Sequence, residues 1–143
     1  MKVPWIMLKL AGVLSTILPR MTTPTEDFLP NVTRDQEIYN RHLEDIRDQI
    51  KADKVSIRLG NELLRAQSLI PDKISEWSQP VLVINAGDDK IADVEVSRQM
   101  LKLIQPDLVT ELYYPENFHE NFNEPNRDEI FKKIVEWVLP RIS

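Results

Sequence analysis

Apolar residues are densest at the start of the chain, in residues 3–19, VPWIMLKLAGVLSTILP. Lys2, Lys9 and Thr16 recur every seventh position, which on a helix makes one narrow polar stripe. The other faces would carry Trp5, Ile6, Leu8, Leu10, Val13, Leu14, Ile17 and Leu18. A helix this apolar is packed in a core or lies against lipid or an apolar ligand. The pattern therefore leaves two readings, a core helix or a lid helix beside a greasy pocket. Residues 20–34 hold Pro24, Pro30 and Asn31 among threonines and read as a loop. Ile38, Tyr39, Leu43, Ile46 and Ile50 then fall at helical spacing over 35–50. A second helix is predicted over 55–70, with Leu59, Leu63, Ala66 and Ile70 on one face and Pro71 as its stop. Residues 1–79 are thus predicted to be helices and loops without a strand.

The texture changes at Pro80. Val81-Leu82-Val83-Ile84 is a continuous aliphatic run closed by Asn85-Ala86-Gly87. Such runs suit strands buried on both faces, which belong mostly to parallel sheets. Asp93 can cap a helix reaching about Ile104, with Val96, Met100 and Leu103 or Ile104 turned inward. A second strand is predicted over 108–114, ended by Pro115. The last helix starts near Pro125 and turns Ile130, Phe131, Ile134, Val135, Trp137 and Val138 to the core. Strand, helix, strand, helix implies a parallel crossover in an α/β sheet. Two strands cannot cover both edges of such a sheet, and a bare apolar edge invites pairing. The pattern therefore predicts part of a larger sheet.

Composition narrows the chemistry. The formal net charge is −5, which gives no electrostatic case for nucleic acid or an anionic membrane. There is no Cys, so disulfides, Cys-bound zinc and thiol nucleophiles are excluded. His42 and His119 are the two histidines, too few for a multi-histidine metal site. Gly12, Gly60 and Gly87 cannot write a Gly-rich phosphate loop. No cofactor and no metal are expected. A secretory leader is disfavoured by Lys9 and by the lack of a small-x-small site after Pro19, and a membrane span by the short run between Pro4 and Pro19. The expected location is the cytoplasm, with peripheral lipid contact through residues 5–18.

Candidate chemistry lies just past the two strands, where open α/β sheets gather functional groups. Asp88 and Asp89 follow the first strand, and His119 follows the second in Pro115-Glu116-Asn117-Phe118-His119-Glu120. A carboxylate on an imidazole fixes its tautomer and stabilises the imidazolium formed in catalysis. On spacing alone a structural reading of each residue is the commoner one. Adjacent side chains point apart, so Asp88 is read as a turn residue and Asp93 as a cap. His42 is read as a surface or half-buried helix residue, and Lys2 and Lys9 as a solvated stripe.

The segment from Pro80 onward resembles the end of α/β-hydrolases of the monoacylglycerol lipase and lysophospholipase branch, the serine aminopeptidase-like group. The matching residues are Pro80-Val81-Leu82-Val83-Ile84, Gly87-Asp88-Asp89-Lys90-Ile91-Ala92-Asp93, Tyr114-Pro115 and Phe118-His119-Glu120-Asn121-Phe122-Asn123-Glu124. Where the family commonly has His-Gly in the turn, this chain has Asn85-Ala86-Gly87. Lys54-Val55-Ser56-Ile57-Arg58-Leu59 and Glu62-Leu63-Leu64 resemble the family's lid. The resemblance implies an α/β chain with an incomplete α/β-hydrolase fold. Residues 1–79 would be the helical lid, and 80–143 the βαβα end of the core, two parallel strands with two packing helices. It implies Asp89 as triad acid and His119 as triad base.

The same resemblance exposes a gap. These enzymes carry their nucleophile at a Gly-x-Ser-x-Gly elbow that precedes the acid and the histidine. None of the seven serines here has that setting, and no His-Gly oxyanion segment occurs. An acid and a base without a nucleophile cannot form an acyl-enzyme. The chain is therefore expected to be a fragment of a serine ester hydrolase for apolar esters, such as monoacylglycerols or lysophospholipids. It would be inactive alone and completed by an upstream segment bearing Gly-x-Ser-x-Gly. The alternative is a noncatalytic module that pairs or self-associates through its strand edge, and a third reading is a truncated reading frame.

Overall fold

The structure, a computed structural model, describes residues 12–24 and 26–142. The expected 5–18 helix therefore falls largely outside it, with Lys2 and Lys9. Residues 12–17 are helical, and Val13 and Ile17 stand exposed, so this end of the segment is not a buried core helix.

A three-residue strand β1 (Thr22–Pro24) pairs antiparallel with β2 (Lys54–Ser56), Thr23 opposite Val55. This corrects the reading of 1–79 as strand-free: segments of three residues are too short to show alternation. Helix α1 (Gln36–Arg47) starts where Asp35 accepts the N–H groups of Glu37 and Ile38. It stops before Ile50 because Gln49 takes the left-handed conformation, φ 59°. Helix α2 (Ile57–Ile74) is capped by Ser56, so Val55 belongs to β2 and not to the helix. Pro71 does not stop α2. Its missing N–H costs one helix bond. Ile70 and Ile74 on either side line an apolar hollow of about 330 Å³ with Trp77, Val81, Leu101 and Ile104. No residue of α2 is buried, and Leu59, Leu63 and Ile70 of its predicted inward face are exposed, so the helix runs through Pro71 without a packed apolar face.

Strands β3 (Val81–Ala86) and β4 (Val109–Tyr114) pair in parallel, Val81 opposite Val109 through Ala86 opposite Tyr114. Helix α3 (Val94–Leu101), capped by Asp93, connects them, and helix α4 (Arg127–Ile142) follows. The buried apolar residues among those described are few, Leu29, Val32, Ala86, Ile104 and Ile130, and Ile104 lies by Val81, at the other end of β3 from Ala86. Val96, Phe131 and Val135 are exposed, against the expectation that their helix faces are buried. Val81 to Ile84 are half-buried rather than enclosed. Both departures have one physical cause. Among the described residues β3 has a single strand neighbour, so a pattern written for a sheet covered on all sides meets a sheet of two strands.

Candidate active site

The site is built where β3 and β4 end side by side. Gly87 follows β3 and donates its N–H to the Tyr114 carbonyl at 2.8 Å. A Cβ at position 87 would lie 2.5 Å from the Tyr113 hydroxyl and 2.6 Å from the Pro115 backbone. Only glycine permits the two loops to approach this closely. Asp88 N–H then donates to the Asn117 carbonyl at 3.1 Å, tying the loop after β3 to the loop after β4.

Asp89 and His119 meet in this seam. Asp89 Oδ1 accepts the backbone N–H groups of Ile91 and Ala92, both at 2.8 Å, which fixes the carboxylate plane. Its Oδ2 lies 2.9 Å from His119 Nδ1. The Asp89 side chain is 10 % exposed and the His119 side chain 39 %. An ionised carboxylate only accepts hydrogen bonds, so Nδ1 carries the proton and Nε2 keeps its lone pair. A hollow of about 280 Å³ opens beside the ring, lined by Ile84, Glu120, Asn121, Phe122 and Asn123. The arrangement can take a proton at Nε2 and hold the resulting imidazolium against the carboxylate.

The neighbouring acids do other work. Asp88 pairs with Lys90, and Asp93 caps α3 by accepting the Glu95 N–H at 2.9 Å. His42 lies outside the couple but close to it. Its Nε2 is 2.9 Å from Glu120 Oε2, and Lys51 Nζ is 3.3 Å from its Nδ1. Burial would raise the Glu120 carboxyl, but hydrogen bonds from Asn123 and His42 and the charges of His42 and Lys51 take it below the ordinary value.

Sequence reasoning missed the residues that hold the His119 loop. The segment 31–35 docks against it: Asn31 and Val32 carbonyls accept the His119 and Glu120 N–H groups at 3.5 and 2.7 Å. Thr33 Oγ1 donates to the Asn123 carbonyl at 2.7 Å. Arg34 bonds Glu124 through Nε at 2.6 Å, and the Glu124 side chain is 0 % exposed. The hydrogen bond to Glu124 raises the Arg34 guanidinium further above its ordinary value. Asp35 Oδ2 accepts from Arg127 of α4 at 2.7 Å. These partners lie about ninety positions apart, as in Arg34 with Glu124, so no local pattern couples them. Glu120 and Glu124 stand in the quoted His119 motif, which was the one available signal. Among the described residues no group of histidines and acids is arranged to hold a metal ion, and no helix is long and apolar enough to cross a membrane.

Known proteins share this architecture. A monoacylglycerol lipase from Paleococcus ferrophilus superposes with a TM-score of 0.82 at 26% identity, over 95% of this chain and 52% of that one. The monoacylglycerol lipase of Mycolicibacterium smegmatis is 22% identical over 137 residues, 96% of this chain and 48% of its own length. Phospholipase YtpA of Bacillus subtilis is 27% identical over 121 residues, 83% of this chain and 45% of its own. The chain thus spans about half the length of each of these relatives. The family model described as serine aminopeptidase, S33, matches residues 1–126. With a partial α/β-hydrolase fold and this match over most of its length, the chain belongs to the serine aminopeptidase S33 family.

Proposed function

We propose that the chain supplies the acid and base of a serine carboxylic-ester hydrolase acting on monoacylglycerols or lysophospholipids. The observation that carries this reading is the 2.9 Å contact between Asp89 Oδ2 and His119 Nδ1 at the carboxyl ends of two parallel strands. The relatives' names, monoacylglycerol lipase and phospholipase, support the substrate class. The serine comes from a Gly-x-Ser-x-Gly segment beyond these 143 residues, since none of the serines here has that setting. That hydroxyl attacks the ester carbonyl as its proton passes to His119 Nε2. His119 returns the proton to the departing alcohol oxygen. It then takes a proton from the water that attacks the acyl-enzyme and passes it to the serine oxygen as the acid leaves, while Asp89 holds the imidazolium. The apolar 5–18 segment would contribute to the acyl side or to lipid contact.

The test is recovery of the tagged chain from its own cells, followed by a fluorophosphonate probe, which reacts with activated serines. The expected result is a labelled serine in a Gly-x-Ser-x-Gly segment held with the chain, with labelling lost in His119→Ala. The isolated 143 residues should not turn over a 4-nitrophenyl ester. Turnover by them alone, abolished by His119→Ala, would refute the missing-nucleophile part. Self-association with no labelled serine would favour the noncatalytic module, a reading supported by the open edge of β3 among the described residues.

A further inference from the structure

We infer that Arg34 and Glu124 are positioning residues for His119, an assignment that rests on the acid–base reading above. Glu124 is a fully buried carboxylate that the proposed reaction does not use. Its Oε1 accepts the Phe118 N–H at 3.3 Å, directly before His119, and the Arg34 N–H at 2.9 Å. Its Oε2 accepts Arg34 Nε at 2.6 Å. Arg34 also donates to Asn117 Oδ1 at 3.1 Å. Asn117 donates to Asn121 Oδ1 at 2.9 Å, and Asn121 to the Ile84 carbonyl at 3.3 Å, which returns the network to β3. The residue before His119 is thus fixed through Glu124, and the residue after it through the Val32 carbonyl.

This geometry does more than fill space. Glu124 is buried while Arg34 is 31 % exposed; desolvating a carboxylate offsets much of its attraction to a cation, and the best-attested use of such a pair is to set a register. The register set here is that of the loop carrying His119 relative to the strand end carrying Asp89. A displacement of about 1 Å would stretch the 2.9 Å contact beyond hydrogen-bond length. The pair acts through the backbone and touches no reacting atom.

The two histidines make the test internal. Long-range proton–nitrogen correlation spectra of the full chain report which ring nitrogen carries hydrogen. In the wild type His119 should be protonated at Nδ1, facing Asp89, and His42 at Nε2, facing Glu120. Glu124→Ala should move His119 to mixed or Nε2–H tautomers while His42 keeps its signal. Glu124→Gln, which retains an acceptor for the Phe118 and Arg34 N–H groups, should restore most of the Nδ1–H population. A folded Glu124→Ala chain with His119 still wholly Nδ1–H would overturn the assignment. If Glu124→Ala does not fold, Arg34→Met at the half-exposed partner decides: loss of the His119 signal supports the assignment and retention overturns it. A wild-type chain without the Nδ1–H signal would instead refute the Asp89–His119 couple, before any variant is compared.

Discussion

Asp89 uses its two oxygens for different tasks, and this makes a substitution at the site interpretable. Oδ1 closes the turn through Ile91 and Ala92, and Oδ2 meets His119. Asp89→Asn can keep the turn bonds through its amide oxygen while presenting an NH₂ group to Nδ1. The imidazole is then driven to the Nε2–H tautomer, which cannot take a proton from an attacking hydroxyl. In the assembly with its nucleophile, ester turnover should fall by about 10⁴-fold with the fold unchanged, as the same swap does in a serine protease triad. Steady-state rates with a short 4-nitrophenyl ester, beside a circular dichroism spectrum, check this. A loss of under tenfold would remove Asp89 from the role. Their place after strands makes Asp89 and His119 candidates in sequence, but only the family resemblance singles them out as acid and base; Asp93 is legible because capping is local. Glu124 is legible only as a member of the His119 motif; its burial and its Arg34 partner exist only after residues far apart in the chain have met.

At the scale of elements, the N-terminal region is fastened to the strand region by carboxylates. Asp35, at the start of α1, pairs with Arg127 of α4, and Glu120, next to His119, pairs with His42 of α1. The hydrogen bond from Arg127 and the backbone bonds of its cap hold the Asp35 carboxyl below its ordinary value. Glu120 is also lowered, its hydrogen bonds and cationic neighbours outweighing burial. A carboxyl depressed in the folded state adds stability that is fully present above its unfolded pKa, about 3.9 for Asp and about 4.3 for Glu. That stability is lost as pH falls through the lower folded value. Docking of α1 should therefore hold from neutrality to about pH 4 and weaken below it. Asp35→Asn keeps the cap oxygen and removes the charge. Its thermal midpoint should lie below the wild type at pH 7, and the gap should close towards pH 3. A gap independent of pH would show that the cap, not the ion pair, matters. These fastenings escape sequence reading for the same reason as β1 and β2: three-residue strands and single long-range pairs leave no periodic trace. The helices α1 to α4 do leave one: their placement errs at ends such as Gln49 and Pro71, and their predicted burial errs at Val96, Phe131 and Val135.

At the scale of the whole molecule, much apolar surface of the described residues is open to solvent. Val96, Phe131 and Val135, assigned to buried faces by periodicity, are exposed, and β3 has an aliphatic sequence with one strand neighbour. The pattern places the helices, but the burial it assigns to Val96, Phe131 and Val135 is overturned, because the described residues provide no surface that covers them. Two consequences separate cleanly at Val135, which no hydrogen bond or ion pair of the site involves. In the isolated chain, Val135→Glu replaces an exposed residue and should change unfolding free energy by no more than about 0.5 kcal/mol. If the α4 face is covered in the working assembly, the same substitution buries an unpaired carboxylate there. It should then sharply reduce recovery of the fluorophosphonate-labelled serine with the tagged chain. Equal recovery with Val135→Glu and wild type would show that α4 keeps this face to solvent, and would move the search for the covering surface to the open edge of β3.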